Sequence, residues 1–151
     1  LADSTYLEAL RLLARRELSE AQLRQRLARR GHNPESIDTV IARLKADRSI
    51  DDTRVAEVIA RSETGLRKRG PHRVRRRIET AGISAATARE VVDAAFRDID
   101  YDTLMKAALE KRLRGRTTIE DDREFQRLYR FMIGQGFDSD RVMALLRARR
   151  G

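Results

Sequence analysis

No cysteine occurs in this chain, so neither a disulfide framework nor a thiolate metal site is open to it. Tryptophan is also absent, proline occurs only twice, and aromatic residues make up 5%. The apolar material is therefore mostly Leu, Ile, Val and Ala, which suits thin layers of packed helix better than one thick core. No apolar run approaches the roughly 18 residues of a membrane span. The opening Leu1-Ala2-Asp3-Ser4 lacks the basic and apolar parts of a secretion signal. These absences lead us to expect a soluble cytoplasmic protein with no membrane contact. No segment has the period-two alternation of a strand or a hairpin turn.

Catalytic signatures are equally sparse. The two histidines, His32 and His72, stand beside a turn Gly or Pro and read as solvated loop residues without a positioned partner. No Gly-x-x-x-x-Gly-Lys loop is present to hold phosphates. Two acidic pairs, Asp51-Asp52 and Asp121-Asp122 with Glu120 before it, have the chemistry to hold Mg²⁺. Both, however, fall where a helix begins, and Asp there caps free N–H groups and favours the helix dipole. We expect no enzyme activity, no metal and no cofactor.

What the chain does have is positive charge. Lys and Arg total 33 against 24 acids, a net of +9, and 29 of those bases are Arg. GC-rich coding accounts for part of the preference for Arg over Lys, but not for the excess of bases. A polyanion or an acidic protein face is the partner that such a balance suits.

The apolar spacing reads as nine helices and an all-α fold. Leu7, Leu10 and Leu13 follow helical spacing behind a possible Ser4 cap, and Ser19 with Gln22 forms a capping box inside a Leu18–Leu23 staple. Gly31 ends that helix, Asn33 and Pro34 start the next, and Ile37, Val40, Ile41 and Leu44 form its stripe. A fourth helix opens at Asp51 or Asp52 and carries Val55, Ile59 and Leu66, with Ile50 set to staple onto Val55. Val74 and Ile78 face inward after Gly70-Pro71, then Val91, Val92 and Phe96 after Gly82-Ile83-Ser84. The last helices carry Tyr101, Leu104 and Ala108, then Phe125, Leu128 and Met132, then Val142, Leu145 and Leu146. Residues 113–122, polar with a Gly and paired Thr, read as the longest loop.

Three turns match: Gly31-His32-Asn33, Gly82-Ile83-Ser84 and Gly136-Phe137-Asp138, at intervals of 51 and 54 residues. An apolar residue precedes each Gly by four positions (Leu27, Ile78, Met132) and another follows it by nine (Val40, Val91, Leu145). Such a period points to stacked helical units. We expect three tandem three-helix repeats, over residues 1–50, 51–98 and 99–151.

The densest charge lies between Arg67 and Arg77, seven bases in eleven residues. Arg67, Lys68 and Arg69 precede the break, and Arg73, Arg76 and Arg77 share the helix side away from Val74 and Ile78. A second cluster is Arg24, Arg26, Arg29 and Arg30; a third is Lys111, Arg112, Arg114 and Arg116. Helix–turn–helix DNA reading fits poorly. The positions that would face bases hold Glu35, Ser36, Asp38, Ala85, Ala86, Ser139 and Asp140, which repel phosphate or offer it little. Aromatics are not interleaved with the basic runs, so base stacking lacks support. Any DNA contact, single- or double-stranded, is expected to be sequence-blind.

Several stretches together resemble the RecX family of bacterial recombination regulators. They are Leu12-Leu13-Ala14-Arg15-Arg16-Glu17-Leu18-Ser19-Glu20; Ile50-Asp51-Asp52-Thr53-Arg54-Val55-Ala56; Lys68 and Gly70-Pro71 with Val74, Ile78, Gly82 and Ile83; and Gly136-Phe137 with Asp140 and Val142. The resemblance runs in order along nearly the whole chain. It departs at Val55, where the family usually has an aromatic, and at Ile78, where it has Leu. It implies an elongated, curved helical array, monomeric, lying along the groove of the RecA–DNA filament. Members inhibit recombinase ATPase, filament extension and strand exchange, and so modulate recombination and DNA repair. The competing readings are a sequence-blind DNA-binding protein that needs no recombinase, and a helical scaffold for another protein.

Overall fold

The computed structural model describes residues 2–151, with side chains from Ser4 onward; Leu1 lies outside the described residues. Among them are nine helices: α1 (Ala2–Arg15), α2 (Glu20–Arg29), α3 (Pro34–Ala46), α4 (Asp52–Gly65), α5 (Pro71–Thr80), α6 (Ala85–Asp98), α7 (Tyr101–Leu113), α8 (Asp122–Gly134) and α9 (Ser139–Ala148). Outside these helices the described residues hold one isolated parallel bridge, Ile119 to Arg150. The chain is all-α, as its spacing predicts.

Cap chemistry sets most of the helix starts. Ser19 accepts from the Gln22 N–H while the Gln22 side chain accepts from the Ser19 N–H, and Leu18 and Leu23 are both buried beside this box. Asn33 caps α3, with Pro34 at its first position. Asp51, Ser84, Asp100 and Asp121 each accept a backbone N–H at the start of their helix, so both acidic pairs sit at helix N-termini. Ser4 does not follow this pattern. The helix continues back to Ala2, a strong helix former, and Ser4 stands inside it.

The buried apolar residues form three clusters, one for each successive helix triplet. Leu12, Leu23, Leu27, Val40, Ile41 and Leu44 belong to the first; Val55, Ala60, Val74, Ile78, Val91 and Val92 to the second; Leu104, Leu109, Leu128, Met132, Phe137 and Leu146 to the third. Some expected core positions are placed otherwise. The face of α1 that packs inward is Thr5, Ala9 and Leu12, leaving Leu7 and Leu10 exposed. Leu66 sits at the C-cap of α4 and is 77% exposed, because the helix ends before it can turn inward. Ile50 is buried with the first cluster, whereas Val55 joins the second, so no staple links them. The polar loop after α7 contains one fully buried residue, Ile119, whose N–H donates to the Arg149 carbonyl at 2.7 Å.

The triplets meet through two similar joints. At the first, the Ser19 hydroxyl donates to the Ala81 carbonyl, and Gly82, at φ +81°, lies so close to α2 that a Cβ there would stand 2.4 Å from that of Ala21. At the second, the Gly70 N–H donates to the Gln135 carbonyl at 2.8 Å and the His72 N–H to the Gly136 carbonyl at 3.0 Å. A Cβ on Gly136, at φ +101°, would stand 2.4 Å from the Arg73 nitrogen. In each joint the turn Gly of one triplet rests on the first turn of the second helix of the preceding triplet. Gly31, at the matching position of the first triplet, has nothing within 4 Å of its Cβ position.

Serial joining leaves much surface uncovered. The accessible area is 9493 Å², whereas area scaling gives roughly 7,900 Å² for a compact monomer of 17.4 kDa. The molecule is extended.

The two glycines allow the joint to be weighed separately from backbone strain. Gly31→Ala and Gly82→Ala both place a Cβ at positive φ, at a cost of about 1 kcal/mol, but only Gly82→Ala also forces α2 away. We expect urea unfolding to show G82A losing about 1–3 kcal/mol more than G31A. Equal losses would mean that this joint is not tightly packed.

Candidate polyanion interface

Seven bases close together in sequence do not remain one surface in the fold. Glu63, buried on α4, receives a hydrogen bond from Arg69 Nη1 at 3.0 Å and an ion pair from Arg67 Nε at 3.6 Å. The Arg69 N–H also donates to the Glu63 carbonyl, so the α4–α5 linker is folded back on the helix it leaves. Arg73 reaches the other way. Its Nη1 donates to the Gly134 carbonyl at 3.2 Å and to Gln135 Oε1 at 3.1 Å, placing a cation at the negative end of α8. Burial first, then the neighbouring Arg69, depresses the Arg73 pKa, though an arginine stays charged throughout. Arg73 is thus a fastener of the second joint, whereas Arg69 fastens the α4–α5 linker to α4. Arg76 is exposed on α5, and Arg77 lines a separate hollow with Arg16, Glu17 and Val58.

The remaining bases of the linker converge with those of α7. Arg67 and Lys68 line a groove of about 310 Å³ together with Lys111, Arg112 and Arg114, and its other lining residues are Ala108, Phe131 and Gln135. Five cations and no carboxylate line this groove. Two of them hold left-handed backbone, Lys68 at φ 53° and Arg114 at φ 53°, a conformation that costs an L-residue about 1 kcal/mol or more. Arg112 lies over the Phe131 ring, its guanidinium carbon 4.5 Å from the centroid, so an aromatic does stand among the bases, brought there from α8. Gln135 Nε2 donates to the Arg67 carbonyl at 3.4 Å, tying the linker to the same wall.

The other expected positions lie apart. Arg26, Arg29 and Arg30 border a hollow of about 330 Å³ beside Leu12, and Arg30 is paired with Glu8 at 3.2 Å. Arg116 does not join the groove. Its two terminal nitrogens grip both oxygens of Glu124, whose pKa is lowered chiefly by that contact. Neither histidine is a free loop residue. His32 Nδ1 is 2.9 Å from the Thr5 hydroxyl, and His72 Nε2 is 2.7 Å from Asp138 Oδ1. Asp138 makes no side-chain cap bond to α9 and is joined to the preceding triplet instead.

A carboxylate-free basic groove on a helical protein has the chemistry to receive a polyanion or an acidic surface. Comparison with known proteins narrows this. Residues 6–44 match the family model described as "RecX, first three-helix domain". The chain is 38% identical over 137 residues to the regulatory protein RecX of Halorhodospira halophila, covering 90% of this chain and 82% of that one. It is 33% identical over 149 residues to RecX of Acidithiobacillus ferrooxidans, covering 99% and 92%. A crystal structure of RecX from Lactobacillus salivarius superposes with a TM-score of 0.81 at 17% identity, over 97% of this chain and 95% of that one. The chain belongs to the RecX family of regulatory proteins.

Left-handed backbone at Lys68 and Arg114 gives a test of what these side chains are for. Lys68→Gly and Arg114→Gly each relieve the strain, and we expect each to raise stability by about 0.5–1 kcal/mol in urea unfolding. The same variants should bind a single-stranded oligonucleotide more weakly at low salt. A loss of stability in both would mark the side chains as structural props.

Proposed function

We propose that this chain is a non-enzymatic regulator that binds the RecA recombinase filament and inhibits its ATPase, its extension and strand exchange. It acts as a cytoplasmic monomer, and the groove formed by Arg67, Lys68, Lys111, Arg112 and Arg114 lies against the phosphate backbone of the filament's DNA. The observation that carries this reading is the convergence of five cations, from two separate stretches of sequence, on one groove without a carboxylate. Like charges held together repel, and a polyanion relieves that repulsion as it binds. The extended form supports the reading too, because a filament offers a long surface and a compact body would touch little of it. Membership of the RecX family of regulatory proteins supports the choice of the recombinase as the partner, and three tandem three-helix repeats are the architecture we infer from the three clusters and two joints. The expected contributions of Arg76 and Arg77, and of Arg26, Arg29 and Arg30, are secondary contacts in this scheme.

A sequence-blind DNA-binding protein with no recombinase partner is the alternative that the same groove favours. Titrating the protein into recombinase ATPase on single-stranded DNA separates the two. Dose-dependent inhibition supports regulation; tight DNA binding without any change in ATPase supports the alternative. Lys111→Glu with Arg112→Glu should weaken DNA binding and lower the log–log salt slope by about 2, one for each phosphate that is no longer neutralised. Inhibition of the ATPase should weaken in parallel. An unchanged salt slope in this variant places the DNA elsewhere on the surface.

A further inference from the structure

A larger hollow has the opposite chemistry from the basic groove. It runs along the packed pair α4 and α6 with a volume of about 710 Å³, within the range of roughly 300–1,000 Å³ that suits buried ligand groups. Its floor is made of small or aliphatic groups: Ala60, Val91, Ala94, Ala95 and Ile99, with Thr64. The rim carries Glu57, Glu90 and Asp98 against Arg61 alone. In a chain with a net charge of +9, this groove has an excess of acid.

None of these three carboxylates forms an ion pair or a side-chain hydrogen bond with another described residue, although elsewhere the acids Glu8, Glu17, Glu20, Glu63, Glu110 and Glu124 are each engaged by Arg or Lys. Glu90, Ala94 and Asp98 follow four-residue spacing on α6, as Thr53, Glu57 and Arg61 do on α4, so acids flank a shallow apolar trough. From Thr53 to Thr64 the trough spans about 16 Å, some three turns of helix. Small side chains on the floor leave depth for the side chains of an incoming segment.

We propose that this groove receives an amphipathic helix of the recombinase whose aliphatic anchors are flanked by Lys or Arg. The proposal rests on the regulatory reading above in taking the recombinase as partner. Phosphate is repelled by the three carboxylates, so nucleic acid does not occupy the groove, and a helix laid in with basic flanks meets every free rim acid. The protein then holds the filament by two contacts of opposite sign, DNA through the basic groove and recombinase through the acidic one.

The test uses the neutral triple variant E57Q/E90Q/D98N, whose altered residues are all exposed, and measures affinity for bare and for recombinase-coated single-stranded DNA. The expected result is five- to tenfold weaker binding to the coated strand with bare-strand affinity unchanged within twofold. Equal binding of variant and wild type to the coated strand overturns the groove assignment alone. Failure of the wild type to bind the coated strand better than the bare one overturns the regulatory reading and this inference with it. Because the chain has no cysteine, A94C supplies a single thiol for cross-linking in the assembled filament. Capture of a Lys- or Arg-bearing recombinase helix supports the proposal. Capture of a second copy of this chain, or of a recombinase segment without basic residues, overturns it.

Discussion

Close backbone contact at the two joints is the constraint on which the rest of the molecule depends. At each joint a glycine lies where no Cβ fits, against Ala21 in one case and against Gly70 and Arg73 in the other. The second joint adds two backbone hydrogen bonds, from Gly70 and His72 to the turn after α8. A side chain of any size there would part the triplets. The basic groove takes Arg67 and Lys68 from one side of that joint and Lys111, Arg112 and Arg114 from the other, so it exists only while the joint is closed.

The balance of charge around the groove follows from what each base meets. Glu63 answers Arg69 and part of Arg67, Glu124 answers Arg116, and the exposed carbonyl end of α8 answers Arg73. These contacts draw arginines into structural work and leave the groove bases without a carboxylate in the lining. At an effective dielectric near that of water, each close pair of like charges costs about 1 kcal/mol at 4 Å and less with distance. Such repulsion is bearable at a surface and is removed by an approaching anion. The left-handed turns at Lys68 and Arg114 add a backbone cost of comparable size at the edge of the groove.

Local features were legible in the sequence because their causes are local. The Ser19–Gln22 box, the Asn33-Pro34 start and the Asp caps depend on residues three apart, and the Gly turns depend on positive φ at one position. The inward stripes of α3 and α5 follow from helical spacing alone. Where the outcome depends on distant partners, spacing gives no warning. Arg73 and Arg76 look equivalent on α5, yet only Arg73 meets the end of α8. Phe131 comes beneath Arg112 by the packing of α8 on α7, which no basic run could have announced. Ile119 lies in the most polar loop and is buried because the chain's last residues bridge to it. Leu7 and Leu10 keep helical spacing but face outward, since α1 meets its core through the smaller Ala9.

Charge of both signs in separate grooves bears on orientation more than on strength. Surface ion pairs contribute little singly, about 0.2–1 kcal/mol each, whereas misplacing a carboxylate against phosphate is opposed at every contact. An extended body carrying only basic groups would slide and turn on a polyanion without preference. In the binding mode proposed above, an acidic trough set apart from the basic groove would remove that freedom by excluding nucleic acid from one part of the surface. The second joint then matters twice: it assembles the basic groove from the α4–α5 linker, α7 and α8, and it fixes the distance of α7 and α8 from the trough on α4 and α6. In that mode orientation would be set by the backbone contacts of a few glycines, while the arginines would supply the attraction.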